Sequence, residues 1–286
     1  MALKGINRAL IYTTLERGLR DMKTDLKRTI RNLTDLGSQF AKTPQQETVF
    51  AVFRSLLERG NSPYYTMIQN LLDNSSEKDL LTFGMNIACN SWIDRKHSKA
   101  EHAHWIVFPD ENPFRSDIAS FDAFVSEQKA HGVYSYVFDE ETSLTKEFFH
   151  LIRKHRDCAF FYLKDGCALT KEIFDEIAHT HNLMMVLNGD NARNLTVAEA
   201  LRRQKSLYCT YTVYHKDDVL SDTALLEPAR KFRSAFHVLF ADGSCPAELQ
   251  KNMNARVNAY RMAPTDPILL IDAYTDVSAL EEWLEP

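Results

Sequence analysis

From residue 82 onward the chain alternates short apolar runs with amphipathic segments of helical period, and this alternation constrains the fold more than any other feature. The intervening segments include SFDAFVSEQKAHG, LTKEFFHLIRKHRD and LTKEIFDEIAHTHN. The runs are continuously apolar, which is typical of strands buried on both faces of a parallel sheet. Strand–helix repetition predicts βαβ units with right-handed crossovers. Thr145 and Thr170 are the expected N-caps of two of the helices.

Eight apolar runs qualify as strands, and eight is the number that closes a (β/α)8 TIM-like barrel. The predicted strands span residues 83–89, 105–108, 133–138, 158–163, 183–187, 207–214, 236–240 and 268–271. The fold class predicted from this pattern is α/β, with a (β/α)8 barrel that is either complete or irregular. An open doubly wound sheet is the competing architecture.

Residues 1–80 carry no convincing strand and predict a helical N-terminal layer. A stripe of apolar residues with helical spacing includes Leu19, Met22, Leu26, Ile30 and Leu33, and it stops at residues 37–38. Further helices are predicted over residues 44–59 and 63–72. The sequence therefore divides into a helical region at 1–80 and a βα-barrel domain at 81–286.

Composition excludes several classes of protein. The five cysteines are odd in number and include no CxxC pair, which argues against a secreted disulfide framework and a cysteine zinc site. No apolar run approaches the ~20 residues of a membrane span, and the N-terminal stretch lacks a signal-peptide core. The basic segment at 17–31 is interleaved with acidic residues and lacks aromatic residues for base stacking. We expect a soluble cytoplasmic protein that binds neither membranes nor nucleic acid.

In a barrel, chemistry belongs to the loops that follow the strands. Polar residues at or near the predicted strand ends are therefore the candidate ligand-binding residues: Asn86, Asn90, Asp110, Asp139, Lys164, Asn188, Asp190, His215, Asp242 and Asp272. Carboxylates with a lysine and a histidine are suited to acid–base chemistry or to holding a divalent cation. The same residue types also form turns and N-caps after strands without any further role.

The stretches TFGMNIACNSW, DCAFFYLKDGCALT and LMMVLNGD resemble a group of bacterial radical-SAM-like proteins. Their usual pattern is close to fGxNxxYNSW, and the matching residues here are Gly84, Asn86, Asn90, Ser91 and Trp92, with Cys89 in place of the aromatic residue. The resemblance implies a partial or full βα barrel.

Radical-SAM enzymes hold a [4Fe–4S] cluster with three cysteines in a CxxxCxxC motif. Here the corresponding loop has Cys89 alone, and the other cysteines are scattered. We therefore expect no iron–sulfur cluster and predict no other cofactor and no metal site.

The motif GMNIACNSW is expected to be a buried first strand whose end lies at the barrel mouth. An asparagine such as Asn86 within an apolar run must find hydrogen-bond partners, because a buried amide without them costs ~1–3 kcal/mol. The favoured interpretation is that Asn86, Asn90 and Ser91 only shape the turn. The alternative is that Asn86 and Asn90 orient a ligand.

Three functional hypotheses remain open at this stage. The first is a protein that binds a small molecule, peptide or protein partner at the C-terminal rim of the barrel. The second is an enzyme that uses the rim carboxylates, Lys164 and His215 for acid–base or divalent-metal-assisted chemistry, and it predicts that these groups converge in one pocket. The third is a structural or regulatory dimer built on the N-terminal helices. An aromatic-lined cleft is the feature expected of a binding protein.

Overall fold

The computed structural model describes residues 2–39, 41, 43–93, 104–111, 117–166, 168–218 and 221–284. Within these ranges the chain forms twelve α-helices, one π-helix, one short 3-10 helix and six β-strands. All six strands belong to one sheet.

The predicted helical N-terminal layer is confirmed. It consists of α1 (Ala2–Asp21), α2 (Leu26–Gln39), α3 (Pro44–Glu58), α4 (Pro63–Asn74) and α5 (Glu77–Met85), and a π-helix follows at Asn86–Ile93. The long apolar stripe is divided between α1 and α2, because the carboxylate of Asp25 accepts the N–H of Arg28 at 3.1 Å and starts a new helix. The predicted boundary near residue 80 falls within α5, and the division into two domains stays a prediction.

The sheet is parallel, and its strands follow one another in chain order. The strands are β1 (Ser135–Phe138), β2 (Ala159–Lys164), β3 (Leu183–Asn188), β4 (Tyr208–Tyr214), β5 (Phe236–Ala241) and β6 (Leu269–Asp272). The helices are α6 (Ile118–Ala130) before β1, α7 (Lys146–Lys154), α8 (Lys171–Ala178), α9 (Asn194–Arg203), α10 (Asp222–Phe232) and α11 (Ala247–Met262) between successive strands, and α12 (Ala273–Leu284) after β6. Because the order never reverses, the crossover helices cover one face, as in a half-barrel.

The prediction of a closed eight-stranded barrel is wrong. Residues 83–89 are helical, and residues 105–108 contribute one parallel bridge between Val107 and Tyr136. The first error has a physical cause, since a short continuous apolar run fits a helix buried on several sides as well as a strand. Leu81, Met85 and Cys89 pack together with Ile11 of α1, whereas Phe83 packs with the inner face of the sheet.

The convex face of the sheet holds the main core. Outward-facing aromatic residues of the first two strands, such as Tyr136, Phe138 and Phe160, pack against α6 and α7. Helices α7 and α8 begin where the sequence predicts. Thr145 and Thr170 are their N-caps, and the side chains of these residues accept the N–H groups of Phe148 and Ile173. This face resembles the outer layer of a complete barrel.

At both edges of the half-barrel, side chains or a flanking segment form hydrogen bonds with backbone groups of the edge strand. At the β6 edge, Arg261 Nε donates to the carbonyl of Leu270 at 2.8 Å, and Asp276 accepts the N–H of Asp272 at 2.8 Å. At the β1 edge, Val107 bonds to Ser135 and Val137 through its backbone at 3.0 and 2.8 Å. These bonds occupy the backbone groups that additional strands would otherwise use.

The N-terminal layer seals the end of the sheet where the strands begin. Asn86 Nδ2 donates to the carbonyls of Arg156 and Cys158 at 3.0 and 2.7 Å, immediately before β2. The imidazole of His181, just before β3, lies 2.6 Å from the carboxylate of Asp79 in α5. The N–H of Ser76 donates to the carbonyl of Lys205, close to β4, at 2.7 Å.

Asn86→Ala should lower the free energy of unfolding by about 2 kcal/mol, because the carbonyls of Arg156 and Cys158 lose a buried donor. Urea denaturation measures the change. Asn258→Ala, which removes an exposed amide on α11, is the control and should cost less than about 0.5 kcal/mol. Equal stability of the two variants would contradict the anchoring role of Asn86.

His237 predicts a second stability effect, this one dependent on pH. Its side chain is fully buried with Nδ1 2.9 Å from the hydroxyl of Thr210, and burial lowers its pKa from 6.5 to about 4. Between these two values the unfolded chain binds the proton more tightly, so acidification should remove about 3 kcal/mol of stability.

His237→Gln should lack this component of the pH dependence, whereas the exposed control His150→Gln should retain it. Urea denaturation at several pH values between 4 and 7 compares the three proteins. Parallel stability–pH curves for the wild type and His237→Gln would show that His237 does not titrate in this way.

Candidate functional site

The concave face of the half-barrel encloses a cavity of about 480 Å³. Its floor is formed by inward-facing side chains of the strands, among them Val186, Cys209 and Val238. Its walls come from α5 and the π-helix, from residues 105–108 and from α12. The lining is apolar except at Arg261 and Asp276, which form an ion pair with each other.

Aromatic rings surround the cavity toward the ends of the strands. We call Phe108, Tyr211, Phe240 and Tyr274 the mouth aromatic cluster. Phe240 meets Tyr211 and Tyr274 edge-on, with ring centroids 5.8 Å apart in both pairs. The rings of Phe108 and Tyr274 are 5.1 Å apart, and Tyr274 is 40% exposed. The cluster therefore joins the cavity to the solvent-facing mouth of the half-barrel.

Carboxylates follow the first three strands at this mouth, and we call Asp139, Glu140, Asp165 and Asp190 the acidic rim. Lys164 ends β2 and is 1% exposed, and its Nζ lies 2.6 Å from Oε1 of Glu140. Burial opposes ionisation of Glu140, but the bonds from Lys164 and the Gly166 N–H outweigh it and lower the pKa of this carboxyl. Lys164 lies two residues after the convex-facing Tyr162 and therefore on the same face of β2, so its ammonium pairs with Glu140 outside the cavity.

Beyond the cavity, toward the strand ends, three polar residues lie on the concave face: Asp165, Asn188 and Tyr211. Asp165 accepts a hydrogen bond from Nδ2 of Asn188 at 2.6 Å, and Asn188 pairs in register with Tyr211 of β4. The side chain of Tyr211 is 8% exposed. Its pKa is raised above the ordinary range, first by burial and then by the negative charges of the rim, of which Asp165 is the largest contributor.

Asp190 lies one turn after β3, and its N–H donates to Oδ1 of Asn188 at 3.0 Å. Burial raises the pKa of its carboxyl, and the charge of Asp218 raises it further. Asp139, Lys164, Asn188 and Asp190 are thus the predicted site residues that the structure brings to one end of β1, β2 and β3.

Two predicted site residues lie at the opposite end of the sheet. Asn86 and Asn90 belong to the π-helix, where Asn90 Nδ2 donates to the carbonyl of Asp157 at 2.6 Å and to Oδ1 of Asn86 at 3.1 Å. Both amides therefore anchor the start of β2. The expectation that they end a first strand at the barrel mouth is wrong, because this segment is helical.

Three more candidates have local partners near the surface. His215 pairs with Asp218, with 3.4 Å between Nδ1 and Oδ2. Asp242 accepts the N–H and hydroxyl of Ser244, and the hydroxyl bond is the main cause of its lowered pKa. Asp110 lies exposed in a short 3-10 helix at Pro109–Glu111, near the ring of Tyr274.

Asp272 occupies the convex side of β6, beneath α11. It is 1% exposed and precedes α12, where the N–H and hydroxyl of Thr275 donate to its carboxylate as in an N-cap. Burial raises the pKa of Asp272, and the charge of Asp276 raises it further. Its Oδ2 atom has no hydrogen-bond partner within the described ranges. This carboxylate therefore belongs to the core outside the mouth.

Asp272→Asn should stabilise the protein by about 1 kcal/mol at pH 8, since the amide keeps the capping bonds and removes a buried charge. The raised pKa means that native Asp272 holds its proton more tightly than the unfolded chain, so the wild type loses stability as the pH rises above 3.8. The gain should therefore disappear near pH 3. Thermal melts at both pH values measure it, and a destabilised variant at pH 8 would contradict this assignment.

Four cysteines are buried as free thiols: Cys89, Cys158, Cys209 and Cys245. Burial raises the pKa of Cys209 to about 12, which disfavours the thiolate that metals and electrophiles require. Cys167 lies outside the described residues. Among the residues that the structure describes, no three His, Cys, Asp or Glu side chains are arranged to hold a metal ion. The absence of an iron–sulfur cluster stays a prediction.

Comparison with models of protein families and with curated proteins found no match to this chain. The resemblance to radical-SAM-like proteins therefore stays a prediction. In the part of the chain with described coordinates, no helix combines the length and the apolar character needed to cross a bilayer.

Proposed function

We propose that this protein binds a small organic molecule in the apolar cavity of its half-barrel. The observation that carries the proposal is the position of this cavity, on the face of the sheet where a complete barrel would have its packed interior. Its volume of about 480 Å³ falls within the range of roughly 300–1,000 Å³ that is common for small-molecule sites.

The lining favours an apolar ligand or an apolar part of a ligand. Phe236, Val238 and Ile271 each remain partly exposed on the cavity floor, so an occupant would remove apolar surface from water. Each 100 Å² of such surface contributes about 2.5 kcal/mol before the costs of binding are subtracted. Burial of a single aromatic ring is therefore enough for measurable affinity.

A binding role fits the arrangement better than acid–base catalysis. The rim groups that would serve an enzyme are engaged separately, with Lys164 on Glu140, His215 on Asp218 and Asp272 at the start of α12. By contrast, aromatic side chains line the cavity from several elements, including Phe83, Phe161 and Phe240. This is the cleft that the binding hypothesis requires.

Titration with the uncharged fluorophore N-phenyl-1-naphthylamine tests the proposal. The probe should bind with one site per chain and gain fluorescence as it leaves water. Val238→Phe places a larger side chain in the cavity and should weaken binding by roughly ten-fold, or 1.4 kcal/mol. Val52→Phe adds the same ring to an exposed position on α3 and should leave the affinity unchanged.

Thermal melts of the two variants establish that both are folded. Absence of saturable binding to the wild type would contradict the proposed site. The same conclusion would follow if Val238→Phe bound the probe as tightly as Val52→Phe did.

A further inference from the structure

One wall of the cavity, between the β1 edge and α12, carries a tryptophan. Trp105 lines the cavity together with Ile106 and Phe108. Its backbone N–H donates to Oε1 of Glu281 in α12 at 2.7 Å, and two residues later Val107 bonds to β1 through its backbone. Trp105 is therefore held at the junction between α12 and the segment that borders β1.

The indole N–H of Trp105 is a buried hydrogen-bond donor. Among the residues that the structure describes, its Nε1 atom has no hydrogen-bond partner. Buried indoles normally find an acceptor, because an unpaired donor in apolar surroundings is costly. Within the described parts of the chain, the other side-chain nitrogen and oxygen atoms of the cavity lining belong to Arg261 and Asp276.

Arg261 and Asp276 differ from Trp105 because both are extensively bonded. Nε of Arg261 donates to the carbonyl of Leu270 at 2.8 Å. Nη1 of Arg261 donates to Oδ1 of Asn258 at 3.1 Å and to Oδ1 of Asp276 at 2.9 Å. Asp276 also accepts the N–H of Asp272 at 2.8 Å. The opposite charges of this pair compensate each other, so the lining offers a ligand no net charge.

We propose that the ligand of this cavity is an uncharged molecule whose apolar body carries a hydrogen-bond acceptor, such as a ketone or ester carbonyl, and that Trp105 binds this acceptor. An indole nitrogen only donates, so it selects acceptors over donors. Protein atoms cover Nε1, and the acceptor reaches it once the indole rotates about χ2, a soft torsion, toward the cavity that the ring lines. This inference rests on the proposed function, because it specifies the class of molecule that the cavity accepts.

Two ligands of nearly equal size test the acceptor preference. Butyrophenone has a carbonyl group where butylbenzene has a methylene group, and displacement of N-phenyl-1-naphthylamine gives the affinity of each. Because a carbonyl is better hydrated than a methylene group, the informative quantity is the ratio of the two affinities compared between variants. The hydrocarbon reports on the apolar cavity alone.

Trp105→Phe removes the donor and keeps an aromatic ring. It should lower the butyrophenone-to-butylbenzene affinity ratio by roughly five-fold, while butylbenzene still displaces the fluorophore. Tyr12→Phe removes a polar hydrogen from an exposed aromatic side chain on α1 and should leave the ratio unchanged. Thermal melts show whether both variants are folded.

Charged analogues test whether the ligand is uncharged. 4-Phenylbutyrate and 4-phenylbutylamine should both bind more weakly than butyrophenone, because a charge in this lining loses water and gains no opposite charge. Tighter binding of either analogue than of butyrophenone would overturn the inference.

The wild-type protein gives a readout that does not depend on the folding of a variant. The chain has three tryptophans, so its ¹H–¹⁵N spectrum should contain three indole signals. Butyrophenone should move one indole proton downfield as an N–H···O bond forms. Butylbenzene carries the same phenyl ring and should move that signal much less. The signal lost in Trp105→Phe assigns the response to this residue.

An equal affinity ratio in the wild type and Trp105→Phe would overturn the inference while the proposed function stands. Indole signals that respond alike to the two ligands would do the same, as would failure of both ligands to displace a bound fluorophore. If the fluorophore itself does not bind to the wild type, the proposed function fails and the inference fails with it.

Discussion

A parallel sheet must bury both of its faces, and that requirement organises this molecule. A closed barrel meets it by filling its own interior with side chains, but six strands in sequential order leave the concave face open. Here α5, the π-helix and α12 cover that face, and they come from outside the βα repeat. Because helices fit a curved sheet less closely than its own opposite wall would, the cover leaves a cavity.

The same requirement explains why the two ends of the sheet differ. At the strand starts, Asn86, Asp79 and Ser76 bond to residues before β2, β3 and β4, and apolar residues of α2, α3 and α4 pack around Ala235 before β5. Polar groups there are satisfied within the protein and contribute to stability. At the strand ends, polar and charged side chains border an apolar cavity. This arrangement suits a ligand that has an apolar part and a polar group.

Much of the architecture could be predicted because six apolar runs alternate with amphipathic helices, and Thr145 and Thr170 mark helix starts by their chemistry. The closure of the barrel could not be predicted. Residues 83–89 are apolar on several sides, and only the packing of α1 on one side and the sheet on the other shows that they are helical.

The site could be predicted only in part, because the sequence shows which polar residues follow the strands but not which face of the sheet each of them occupies. Polar residues after β1, β2 and β3 identified the mouth, but period-two alternation decides which of them face inward. Lys164 and Asp272 fall on the convex side, whereas Asp165 and Tyr211 fall on the concave side. No polar residue pattern marked the cavity. The apolar character shared by the inward positions of β2 to β6 that line it is the pattern that would have indicated it.

The central claim is that the apolar cavity on the concave face of the half-barrel is a ligand site. A crystal structure of the protein soaked with N-phenyl-1-naphthylamine tests it most directly. The account predicts density for the aromatic rings of the probe between Val238 and α12. Density at the strand starts or on the convex face, with the concave face filled by the protein's own side chains, would contradict it.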